Sequence, residues 1–151
     1  MDTARNIKTA IILFCAALTA RLGMMAIPIY VMVASNIIDY ITGIIVAPKR
    51  GQKIDSAVAL YGLTKKVAMW ILVIVGWIID ILLKYAISQM GIGIKLDFFI
   101  AAIVAVWIGI NEIISILENL NDIGAPVPKF MHKVMKHLKS EIEELTGEGE
   151  E

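Results

Sequence analysis

A single cysteine, Cys15, excludes an internal disulfide framework and any cysteine-rich metal site. Histidine is almost as scarce. His132 and His137 lie five apart in a polar tail, a spacing that does not bring them onto one helix face, so a solvated tail is expected rather than a metal site. Net charge is missing as well: 14 basic residues balance 14 acidic ones, which leaves no global field to attract nucleic acid. There is no internal repeat, no Gly-rich phosphate loop, no Ser-His-Asp set and no pair of carboxylates in a polar cleft, and GIGIKLDFF at 91–99 is too irregular to bind a nucleotide. No enzyme and no cofactor are expected.

What the chain has in quantity is apolar sequence. Hydrophobic residues make up 58% and charged residues 19%, with a mean hydropathy of +0.77. Ordinary soluble domains are less apolar and more charged. The charges gather at the N-terminus, in 48–66 and after Glu118, and leave long blocks nearly free of them. This is the pattern of an integral membrane protein. Crossing about 30 Å of hydrocarbon takes about 20 helical residues. Four blocks offer spans, at about 7–25, 27–47, 67–87 and 98–117. The first is short and reaches full length only through Arg21, which can snorkel to an interface. It is not expected to be a cleaved signal, because Leu18 stands where a small residue is wanted and Asp2 weakens the basic start.

The 48–66 stretch carries Lys49, Arg50, Lys53, Lys65 and Lys66 against one acid, Asp55, and is read as a cytoplasmic loop. The short 88–97 stretch, with Lys95 and Asp97, then lies outside. The N-terminus and the tail lie inside if the first block spans; the alternative is three spans with an interfacial N-terminal helix. Pro48 and Gly51 stop the second span, and Gly124, followed by Pro126 and Pro128, stops the last. The expected fold is all-α, with three to four transmembrane helices over 1–123 and a cytoplasmic amphipathic tail over 124–151. In the tail, Phe130, Val134, Leu138, Ile142 and Leu145 form a stripe at helical spacing that suits lipid headgroups or other copies of the tail. The final GEGEE is expected to be disordered.

Three acids stand inside spans, Asp39, Asp80 and Glu112, where each costs a few kcal/mol near the bilayer centre. Asn36, Asp39 and Gly43 share one helix face, so Gly43 can admit a neighbouring backbone while Asn36 and Asp39 hydrogen-bond across the contact. Helix–helix adhesion and a direct part in conduction both remain open for Asp39. Asp80 has Lys84 four residues later and is expected to pair with it. Trp70 and Trp77, seven apart, read as packing or interface anchors. On the last span Asn111, Glu112, Ser115, Glu118, Asn119 and Asp122 fall in a sector about 120° wide, a wet or protein-facing stripe that copies of the chain together could cover or use to line a water-filled lesion.

The stretches IIDYITGIIVA at 37–47, GLTKKV at 62–67 and NEIISILENLNDIGAPVPKFM at 111–131, in that order, resemble the phage-lysis and toxin-secretion holin family. The likeness covers about 28–140. By carry-over, Asp39, Thr42 and Gly43 match the first motif, Ser56, Gly62 and Lys66 the middle one, and Asn111, Glu112, Ser115, Glu118, Asn119, Gly124, Pro126 and Pro128 the last. The resemblance implies a small multi-pass protein of the bacterial cytoplasmic membrane that forms a homo-oligomer in the lipid bilayer and opens a lesion, and the loop charges favour the N-in, C-in orientation. Its functional partner would be an endolysin or an exported toxin. An antiholin, an assembly scaffold and a small ion-channel subunit are the alternatives.

Overall fold

The computed structural model describes residues 2–52, 56–91, 93 and 97–146, and every regular element among them is helical. The expectations resting on Lys53, Asp55, Lys95 and 147–151 lie outside the described residues. Helix α1 runs over Asp2–Leu22, and a 3-10 turn at Gly23–Met25 leads into α2 at Ala26–Val46. Helices α3 (Ser56–Gln89), α4 (Phe99–Ile123) and α5 (Lys129–Thr146) follow. Three helical stretches are long and apolar enough to cross a membrane: Thr3–Val46, Gly62–Gln89 and Phe99–Ile123. The chain is an all-α membrane protein.

The first of these stretches holds both N-terminal apolar blocks. It has 44 residues, about 66 Å if straight at 1.5 Å per residue, but it is not straight. Gly23 adopts φ +54°, a left-handed value open to glycine. The Tyr30 hydroxyl reaches back to Thr19 Oγ1 (2.8 Å) and donates to the Cys15 carbonyl (3.2 Å). In a straight helix those positions would be about 22 Å apart, so α1 bends back at the turn.

Helix α4 is the centre of the molecule. Parallel to it runs α2: Val31 lies beside Gly109 and Thr42 beside Asn119. Antiparallel to it runs α3: Lys66 meets Glu112 and Asp80 meets Ala101. The buried apolar core is Met25, Met32, Val73, Ala101, Ala105 and Ile108. Small residues on α4 let both neighbours approach closely, the usual packing of membrane helices. The tightest approach is at Gly76, where an added Cβ would lie 3.0 Å from the Ala101 Cα. Large apolar side chains such as Ile71, Leu82 and Ile12 point outward, at 53%, 62% and 66% exposure, as lipid-facing positions require.

The helix ends are specific. Asp80 Oδ1 and Oδ2 accept from the backbone N–H groups of Ile100 and Ala101, each at 2.9 Å, and so satisfy donors that the first turn of α4 leaves open. The expected Asp80–Lys84 pair does not form: Lys84 donates to Asp97 at 2.6 Å, and Asp80 is buried at 3% exposure. Its carboxylate is aimed at the start of the neighbouring helix, while Lys84 lies one turn further on, in the open. At the other end Gly124, at φ +96°, caps α4, with Gly124 N–H bonded to Asn121 O and Ala125 N–H to Leu120 O.

Three further expectations need correction. Helix α3 begins at Ser56 rather than near 67: no proline stands between 56 and 66, and the one glycine, Gly62, is tolerated at a cost of about 1 kcal/mol. Lys65 and Lys66 therefore stand on a helix and not in the loop. Gly43 meets no neighbouring backbone: an added Cβ would find only Asn119 Nδ2, at 3.9 Å. Helix α5 does not stand apart from the spans. It folds back along α4, where Trp107 Nε1 donates to Glu143 Oε1 at 3.4 Å and Lys139 Nζ lies 6.0 Å from the Trp107 ring centre.

Candidate functional site: a charge cluster shared by three helices

Each of α2, α3 and α4 presents a seam at heptad spacing toward its neighbours. On α3 the seam is Lys66, Met69, Val73, Gly76 and Asp80, all buried or half-buried. On α2 it passes through Met32, Asn36, Asp39 and Thr42; on α4 it passes through Ala101, Ala105, Ile108, Glu112 and Asn119. A three-and-four spacing keeps one stripe against a partner. Toward the Gly23 end of the bundle the stripes are apolar apart from Asp80, and toward the 47–52 end they are polar.

At the polar end three charges from three helices meet. Lys66 Nζ donates to Asp39 Oδ2 at 2.9 Å and to Glu112 Oε2 at 2.5 Å. Their side chains are 14%, 17% and 5% exposed, in the order Lys66, Asp39, Glu112. Asn119 Nδ2 donates to Asp39 Oδ1 and to Thr42 Oγ1, both at 3.1 Å. The Thr42 hydroxyl turns back to the Ile38 and Asp39 carbonyls. One ammonium thus serves two carboxylates. With all three ionised, the cluster carries a formal charge of −1 in the middle of a lipid-facing bundle. Buried ions are tolerated only when paired and hydrogen-bonded, and here the pairing depends on all three helices at once. Below the cluster, Lys49 Nζ donates to the Ile123 carbonyl, and Arg50 pairs with Asp122 at 2.5 Å. These cations sit at the negative end of the α4 dipole and tie it to the end of α2.

Helices α2 and α3 touch little apart from Lys66. Between them lies an apolar groove of about 350 Å³ lined by Val33, Asn36, Ile37, Tyr40, Leu63 and Trp70, with Lys66 at its edge. Asn36 is buried there. Its Nδ2 donates to the Met32 carbonyl at 2.8 Å, while its Oδ1 has no hydrogen-bond partner.

Of the residues singled out from the sequence, Asp39, Thr42, Glu112 and Asn119 come together in the cluster, and Asn36 lies beside it in the groove. Gly43 lies next to Asn119 without a close contact. Asp80 is apart, at the opposite end of the bundle. The polar stripe of α4 divides. Glu112 and Asn119 turn into the cluster, Asn111 donates to its own Trp107 carbonyl at 3.0 Å, Ser115 is half-buried and Glu118 is exposed. Lys66 is the functional candidate that the sequence reading did not place at the centre. The heptad seam from Lys66 to Asp80 is the signal that marks it, since that seam puts Lys66 and not Lys65 on the buried face.

The model of the Bacteriophage holin family matches residues 16–140. An uncharacterized protein of Halalkalibacterium halodurans, BH0965, is 33% identical over 89% of this chain and 95% of that protein. An uncharacterized protein of Listeria monocytogenes, Lmo0128, is 31% identical over 96% of this chain and 92% of its own length. The Clostridium perfringens protein CPE0383, also uncharacterized, is 28% identical over 89% of this chain and 91% of that protein. No solved structure matches.

Proposed function

The chain belongs to the bacteriophage holin family, and from that premise we propose that it is a working holin. It accumulates in the cytoplasmic membrane of a bacterium, with its N-terminus and tail inside, associates with copies of itself and opens a lesion. An endolysin, or an exported toxin, passes through that lesion. The reading adds no enzymatic step and no cofactor.

The observation that carries this reading is the Lys66 cluster. Three spans hold one ammonium between two carboxylates, and the groove beside it leaves a buried Asn36 oxygen unpartnered. A lone chain in lipid can hide these groups but, with all three ionised, leaves one negative charge unmatched. In an oligomer, or against water in a lesion, the same groups gain partners. Each polar contact between membrane helices is worth only about 0.6–2 kcal/mol. Many such contacts around a ring make association steep in concentration, which is the behaviour a timed lesion needs.

The test is inducible expression in a bacterium with and without a cytoplasmic endolysin. Abrupt lysis that requires the endolysin is the expected result. Ion leakage without passage of the enzyme would instead mean a small channel. A host that grows on through full expression would mean an antiholin or a scaffold.

A further inference from the structure

Helix α5 is seated on α4 by its edge and not by its apolar face. At 100° per residue, Phe130, Val134, Leu138 and Leu145 fall within about 80° of one another and form the centre of that face. Yet these side chains are exposed, from 41% at Leu138 to 84% at Leu145. The positions turned toward α4 lie on the border of the face. Among them, Lys139 and Glu143 meet Trp107.

The seat is also incompatible with lipid around that side of α4. Glu143 meets Trp107, 16 residues back from the end of the helix at Ile123. Counted from the expected span end at 117, Trp107 is about 15 Å deep at 1.5 Å per residue, about half of the roughly 30 Å of hydrocarbon. In this seat α5 would carry lysines and glutamates deep along a span, among the most costly placements in a bilayer. A seat on α4 and acyl chains on the same face of α4 therefore exclude each other.

The charge on α5 indicates where it goes instead. Residues 129–139 carry Lys129, Lys133, Lys136 and Lys139 and no acid. The short link at 124–128 starts this basic half at the end of α4, where a span meets the membrane surface. We propose that α5 leaves α4 for an anionic lipid surface. Phe130, Val134 and Leu138 enter the headgroup region and the lysines face lipid phosphates. The acids that follow, Glu141, Glu143 and Glu144, gain nothing there, so the basic half is the binding half. Departure of α5 bares Trp107 and Asn111, which fall within about 40° of the already exposed Glu118, and so completes a polar strip that another copy or water can reach. This rests on α4 being a span. It does not need the lesion.

The test uses the full chain as the Cys15→Ser, Leu138→Cys variant, with an environment-sensitive dye on the new thiol, in vesicles of phosphatidylcholine with or without added phosphatidylglycerol. Resistance to alkaline extraction reports insertion of the spans. The expected result is that a nitroxide at a shallow acyl position quenches the dye only when phosphatidylglycerol is present. Adding Lys133→Gln and Lys136→Gln should weaken that binding by more than about five-fold, since each lysine near an anionic surface contributes about that factor. Inserted protein whose dye is quenched equally in both lipids, or in neither, would overturn the proposal. So would dye self-quenching that grows with protein density, which would mean that α5 pairs with α5. Protein that alkali extracts would remove the span itself, and with it this proposal, whatever the lysis assay shows.

Discussion

Removing Lys66 from between its two carboxylates would leave Asp39 and Glu112 without the ammonium that joins them. Losing one partner of a buried ion pair costs about 3–5 kcal/mol, because the remaining charge stays desolvated. Lys66→Met is therefore expected to lower stability by that order in detergent–SDS unfolding. Adding Asp39→Asn and Glu112→Gln to it should recover most of the loss, because neutral amides can hydrogen-bond where paired anions cannot. A triple variant no more stable than Lys66→Met would mean that the charges are not what the cluster balances. Asp80 makes a second comparison. Asp80→Ala strands two N–H groups at the start of α4, that of buried Ala101 and that of half-buried Ile100, and should cost about 1–3 kcal/mol. Lys84→Ala loses only an exposed pair with Asp97 and should cost less than about 1 kcal/mol. Equal effects in the same unfolding assay would restore the Asp80–Lys84 pair that the structure replaces. The acids themselves were visible in the sequence, since charges inside apolar blocks stand out. Their partners were not: Lys66 is 27 residues from Asp39 and 46 from Glu112, a separation that local spacing does not report. The nearest opposite charge along the helix, Lys84, was the wrong partner for Asp80 for the same reason.

At the level of helices, the apolar blocks located the spans and the turn residues located their ends. Gly124 stops α4 where a glycine followed by prolines should stop it, and α2 ends just before Pro48. The start of α3 was hidden because its first turns carry Gly62 and two lysines that read as a charged loop, although no proline there breaks a helix. Which glycine is a contact was equally hidden, since an i+4 relation to an acid says nothing about the neighbouring helix. At Gly76 an added Cβ would lie 3.0 Å from the Ala101 Cα, and backbone cannot yield as a side-chain tip can. Gly76→Ala is expected to push α3 off α4 and cost about 1–3 kcal/mol, the range for overpacking. Gly43→Ala meets only a side-chain nitrogen at ordinary contact distance and should be neutral, or slightly stabilising through helix propensity. Unfolding of both variants checks this directly, and a Gly43 variant more damaged than the Gly76 variant would reverse the assignment of the tight contact.

For the molecule as a whole the open element is α1, and its side chains decide how it sits. A helix lying in the membrane interface needs a polar face. Over residues 10–20 α1 has no charge, and its one threonine there, Thr19, gives its hydroxyl to the Cys15 carbonyl. The 21 residues of α1 measure about 31 Å, one hydrocarbon thickness, as do the 21 of α2. The bend at Gly23 makes them two arms of one reversal, which returns the N-terminus to the side where α2 ends. On this reasoning α1 is expected to cross the bilayer as a fourth span, with Arg21 near the far surface and Thr3 on the cytoplasmic side. The lone cysteine makes the point measurable. In right-side-out and in inverted membrane vesicles, Cys15 should resist a membrane-impermeant maleimide and react only after detergent is added. Thr3→Cys in a Cys15→Ser background should react in inverted vesicles alone. Labelling of Cys15 from the cytoplasmic face would instead lay α1 along the surface and leave three spans to carry the Lys66 cluster.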